Sequence, residues 1–247
     1  MTDSPMAGQA RRAAEAGNDS LLSEVLLELA QEPMELLSFE QDVTGWAETA
    51  RQAVTARVLT WLREPDSTVH LSCAARLCVA MRLRHAGPDL LERLRMGPPS
   101  VDVVAAVGSL QVTEALPVLR EIARSEPTLR HAALVSMVRL DPSGGAALLK
   151  EEYKTASDLI NTTPAHRGDP ANHGTFDTLV EMLHHLNGPV ALVEVAKELH
   201  GQNPGKNRLL AEYLVAVIES PLLPAPELLP GLPDAATCKR HIRQILL

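Results

Sequence analysis

Apolar residues recur at intervals of three and four along most of this chain, and no run alternates with period two. Leu22, Val25, Leu26 and Leu29 form one such stripe, predicting a helix from about Ser20 to Glu32 that Asp19 or Ser20 caps and Pro33 stops. A second helix is expected from Trp46 to Glu64, ended by Pro65. Asp66 can cap a third, with Leu71, Ala74, Ala75, Cys78 and Met81 on one side and Gly87–Pro88 as its end. Asn203 and Pro204 open a later helix that runs to Ser220 on Leu210, Tyr213, Leu214 and Val217.

Between Pro88 and Lys154 the helices come as short antiparallel pairs, with turns at Gly97–Ser100, Gln111–Thr113, Ser125–Thr128 and Asp141–Gly145. Laying residues 103–119 over 133–149 matches Val104 with Leu134, Val107 with Met137, Leu110 with Leu140 and Leu119 with Leu149. A further copy at a shift of 76 sets Val104 on Val180, Leu110 on Leu186, Ala115 on Ala191 and Leu116 on Leu192. The hydrophobic register repeats while the letters differ, as stacked units that bury a common face require. The stretch 155–174, rich in Asn, Pro and Gly, interrupts the array as a loop insertion. Residues 1–18 lack a sustained stripe and read as a flexible tail, leaving 19–220 as the repeat domain. Residues 221–247 read as a Pro-rich linker and a helix that caps the open end of the stack.

Composition sharpens the fold class. Six of 247 residues are aromatic, whereas Leu and Ala supply 39 and 32, which favours helix and disfavours sheet. A formal net charge of -8 removes the general attraction on which nucleic-acid binding rests, so no nucleic acid is expected as a partner. No apolar run reaches the ~18 residues of a membrane span, and the first twenty residues lack the apolar centre of a secretory signal. Cys73 and Cys78 lie five apart on one helix, where their side chains diverge, so reduced thiols and a bacterial-type or general cytoplasm are expected.

The helix pairs in SVDVVAAVGSLQVTEALPVLREIA and TLRHAALVSMVRLDPSGGAALLKEEY resemble the short bacterial HEAT-like repeats of the class also seen in phycobilisome lyases. The resemblance covers about Asp66–Ser220. It implies an all-α chain of the α-solenoid type, a HEAT-like or armadillo-type superhelix of antiparallel helix pairs. It also implies a non-enzymatic scaffold, adaptor or inhibitor that binds another protein along a curved surface, without a cofactor. The alternative is an enzyme or enzyme subunit of the HEAT-like lyase or glycosylase kind, with the 155–174 loop at its active site.

Candidate chemistry is sparse. Glu181 and His184 have the Glu-x-x-His spacing of carboxylate-bridged metal bundles, yet a second pair is missing. A solvated face opposite Phe176, Leu179, Val180, Leu183 and Leu186 explains them better, so no metal is expected. The insertion offers His166, Arg167 and His173 as a binding tip, with no nucleophile and base to match. A DNA glycosylase needs aromatic side chains on a basic concave surface, whereas Trp46 and Trp61 sit fifteen apart on one early helix of an acidic protein. Charge, however, is uneven: residues 61–150 hold 11 basic and 9 acidic groups, between an N-terminal sixty with 4 and 10 and a following fifty with 3 and 8. Within that basic island a cation follows a register leucine three times, in Leu94–Arg95, Leu119–Arg120 and Leu149–Lys150. With Arg124 and Lys154 four residues on, these cations are expected to form a ladder that takes an acidic segment of a partner protein. A solvated surface partly neutralised by Glu121 and Glu151 is the competing reading.

Overall fold

The computed structural model describes residues 4–63, 67–97, 100–155, 175–220 and 232–247, the side chains of 151–155 and 175 excepted. Every regular element among them is helical. The chain forms two compact units, Met1–Ser136 and Met137–Leu247.

The first unit holds α1 (Pro5–Glu15), α2 (Asp19–Gln31), α3 (Pro33–Asp42), α4 (Glu48–Arg63), α5 (Thr68–Ala80), α6 (Gly87–Met96), α7 (Val101–Ser109) and α8 (Leu116–Ser125). The expected N-terminal tail is therefore a helix. Ser4 accepts a hydrogen bond from the Ala7 amide, Pro5 fixes the first turn, and Ala7, Ala10, Ala13 and Ala14 are buried where α1 packs on α2, α3 and α4. An alanine stripe is short of hydrophobic contrast, which is why it did not register as an amphipathic face. Pro33 does stop α2, but it serves at once as the first residue of α3. A 3-10 turn, Val43–Gly45, then sets Trp46 outside α4, with its ring edge-on to Phe39 at 5.4 Å. The two tryptophans thus belong to different elements. Trp61, on α4, is buried and stacks on His70 of α5 at 5.2 Å.

Two hairpins, α5–α6 and α7–α8, share the same closing hydrogen bond and left-handed residue at their turns. The α5 helix ends where Leu83 donates to the Cys78 carbonyl and Arg82 takes φ 53°; α7 ends where Val112 donates to the Val107 carbonyl and Gln111 takes φ 62°. This is the Schellman closure, with the left-handed position filled by a residue other than glycine. Leu83 and Val112 turn inward, and 3-10 turns at Arg84–Ala86 and Thr113–Ala115 lead into α6 and α8. Leu90 and Leu119, fully buried, then open the second helices. The α5 helix packs on α7, α6 on α7, and α4 on both α5 and α6.

Arginines tie these elements end to end. Arg76 of α5 pairs with Asp102 of α7 at 2.9 Å and donates to the Ala30 carbonyl at the end of α2. Arg63 pairs with Asp89 at 2.9 Å, Arg93 donates to the Leu62 and Arg63 carbonyls, and Arg130 donates to the Ala123 carbonyl at 2.8 Å. Arg76, Arg93 and Arg130 thereby cover carbonyls that a helix end leaves without an internal partner.

α9 (Arg130–Leu140) begins in the first unit and ends in the second, which continues with α10 (Gly145–Thr155), α11 (Thr175–Asn187), α12 (Pro189–Leu199), α13 (Asn207–Glu219) and α14 (Ala235–Leu246). The shift of 76 that matched α7 with α11 meets a different junction here. α11 passes to α12 through Gly188 alone, at φ 69°, and the 3-10 turn recurs one connection later, at Pro204–Lys206 between α12 and α13. The final helix packs on α12 and α13 through Cys238, Ile242 and Leu246, with Lys239 bonded to Glu219 at 2.6 Å. Residues 221–231 of the expected linker lie outside the described residues.

Candidate functional site

The cations singled out in the sequence meet different fates. Arg95 stands in the last turn of α6, and Arg120 and Arg124 lie one turn apart on α8; all three are exposed. Among the described residues none of them has an ion pair or side-chain hydrogen bond, in contrast to Arg57, Arg63, Arg76, Arg82 and Arg93 of the same unit. Arg12, on α1, and Arg84, in the 3-10 turn that leads into α6, share this freedom. In the second unit Lys150 is half-buried and bonded to Glu198 at 3.0 Å, so it is engaged within the fold. Lys154 lies on α10, but its side chain is outside the described set, as are His166, Arg167 and His173 and the insertion that carries them.

The hairpin geometry also corrects the register of the ladder. Equivalence of Leu83 with Val112, Ala86 with Ala115 and Leu90 with Leu119 fixes a step of 29 residues between the two hairpins. Arg95 then corresponds to Arg124, and Arg120 to Leu91. Pairing Leu94–Arg95 with Leu119–Arg120 implies a step of 25, which sets the two helices about one turn out of phase. The signal was available in the sequence: at 29 residues, Ala86, Pro88, Leu90, Glu92 and Arg95 recur as Ala115, Pro117, Leu119, Glu121 and Arg124. The larger shifts of 30 and 76 hid it.

On α8, Pro117, Arg120, Glu121, Arg124 and Ser125 line an open depression of about 510 Å³. A second depression of about 570 Å³ lies between α4 and the turn into α6, over Val43, Leu59, Met81 and Leu83. At its rim Arg51 and Glu48 pair with each other at 3.2 Å, which leaves His85 as its other ionisable group. Sequence reading missed this groove because its floor is assembled from three separate segments.

Groups suited to covalent or metal chemistry are poorly placed among the described residues. Burial pushes the thiols of Cys73, Cys78 and Cys238 up, that of Cys78 to about 12, and all three cysteines are buried. A protonated, enclosed thiol is a weak nucleophile and a poor ligand. No group of three or more His, Cys, Asp or Glu side chains could hold a metal ion among the described residues. His184 is not on a solvated face: it is 1% exposed, and neither ring nitrogen has a hydrogen-bond partner. Burial, with His185 beside it, lowers its pKa and keeps the ring neutral.

Comparison with known proteins adds no relative: no family model matches the chain, and neither the curated proteins nor the solved structures give a significant match. No helix among the described residues is long and apolar enough to cross a membrane.

Proposed function

We propose that the protein is a non-enzymatic scaffold, adaptor or inhibitor, a HEAT-like α-solenoid that binds an acidic segment of another protein across its second-of-pair helices. The observation that supports this reading most is a contrast within one unit. Arginines between helices are spent on carboxylates and helix-end carbonyls, whereas Arg95, Arg120 and Arg124, on the outer faces of α6 and α8, are left to solvent. Exposed guanidinium groups bind carboxylates in bidentate fashion and speed encounter with an acidic partner.

The test is affinity capture from the native host with the wild-type chain and with the triple variant Arg95→Glu, Arg120→Glu and Arg124→Glu. A protein held at low salt by the wild type and lost from the variant is the expected result. Equal recovery from both, with the variant's helical circular dichroism unchanged, would reject these cations as the binding surface.

A further inference from the structure

Between α1 and the junction of α3 with the 3-10 turn Val43–Gly45 lies a depression of about 430 Å³, within the size range of small-molecule sites. It uses none of the cations assigned above to a protein partner. Arg12 and Asp42 both line it. Arg12 reaches over the backbone of Gly8, where a Cβ would stand 3.5 Å from its Nη1, and among the described residues its guanidinium has no ion pair or hydrogen bond. The Asp42 carboxylate is half-buried, gives no capping hydrogen bond to the 3-10 turn it precedes, and has no ion pair among the described residues.

Neighbouring charges are taken up. Arg11, also in the lining, pairs with Glu15 at 3.8 Å, and Glu35 accepts the Ser4 hydroxyl. Elsewhere in the same unit opposite charges close on each other, as Arg63 does on Asp89 and Arg76 on Asp102. Arg12 and Asp42 share one depression and do not pair. A ligand with a single charge serves them badly, because an anion on Arg12 enters the same depression as the Asp42 carboxylate, and a cation on Asp42 the same depression as Arg12. A molecule that carries both signs satisfies the two together. We propose that this depression binds a small zwitterion of the free α-amino acid class. Its carboxylate takes the Arg12 guanidinium in bidentate fashion, and its ammonium donates to the Asp42 carboxylate. Gly8 and Gly45 contribute no side chain to the lining, which leaves room for the ligand, and Pro5 and Trp46 are its apolar members.

Isothermal titration calorimetry on the full chain tests this with the common L-amino acids. The best binder is then compared with its N-acetyl derivative, which keeps only the carboxylate, and its amide, which keeps only the ammonium. At least one amino acid should bind with a Kd of about 1 mM or tighter, and each derivative at least about tenfold more weakly. Arg12→Gln and Asp42→Asn should each weaken the amino acid by about tenfold, whereas Arg11→Gln, at the paired neighbour, should change it less than about threefold. No binding by any amino acid, a derivative that binds as tightly as its parent, or affinity unchanged in both variants would overturn the zwitterion site. The derivatives are compared on the wild-type chain, so that arm does not depend on how the variants fold, and unchanged helical circular dichroism shows that each variant is folded.

Discussion

At the scale of single residues, His184 is the least comfortable side chain in the second unit. Each buried ring nitrogen lacks a partner, and an unmade hydrogen bond of a buried polar group costs about 1–3 kcal/mol. The neutral ring is the tolerated form, because its pKa is lowered by burial and by His185. The sign follows from linkage. Above the unfolded value near 6.5 both states are neutral and stability is complete; as pH falls below it, the unfolded chain takes up a proton that the folded one refuses, and stability is lost until the folded pKa is reached. His184→Leu should remove this component. Thermal midpoints of wild type and variant, measured from pH 8 to pH 5, should diverge below about pH 6.5, with the variant the more stable. Parallel curves would show that the ring finds compensation on protonation. The sequence misled here because a His-His pair before a glycine reads as a helix end facing water, whereas successive residues on a helix point about 100° apart, and the first of these two points inward.

At the scale of elements, what the sequence revealed and what it hid follow from contrast. Helices with Leu or Val stripes against polar neighbours, such as α2, were legible to within a residue or two. α1 was missed because alanine carries little hydrophobic signal, and α3 because Pro33 was read as a stop without also being a start. The repeated hairpin closures were blurred because Arg82 and Gln111 occupy left-handed positions where glycine is the usual marker. The α7–α9 contact was invisible for another reason, since it depends on what is absent. A Cβ placed on Gly108 would fall 2.7 Å from the Ser136 Cβ and 2.8 Å from its Cα, and the Ser136 hydroxyl donates to the Val104 carbonyl at 2.8 Å. Gly108→Ala should gain about 1 kcal/mol in helix propensity yet lose about 1–3 kcal/mol to overpacking, for a net loss of up to about 2 kcal/mol. Urea unfolding would read this as a lower midpoint. The control is Gly45→Ala, where no atom lies within 4 Å of the new Cβ and the change should stay within a few tenths of a kcal/mol.

At the scale of the whole molecule, the solenoid reading makes a demand that helix content alone does not. In the first unit α5, the first helix of one hairpin, packs on α7, the first helix of the next, and an array that repeated this contact would grow in one direction. In the second unit α14 packs on α12 and α13 with Cys238, Ile242 and Leu246 inward, while Arg240, Arg243 and Gln244 stay exposed. A compact globule of 247 residues would have a radius of gyration of about 18 Å. The proposed superhelix predicts a clearly larger value in small-angle scattering, while circular dichroism remains helical. A radius near 18 Å would reject the superhelix and leave an all-helical protein of two compact units.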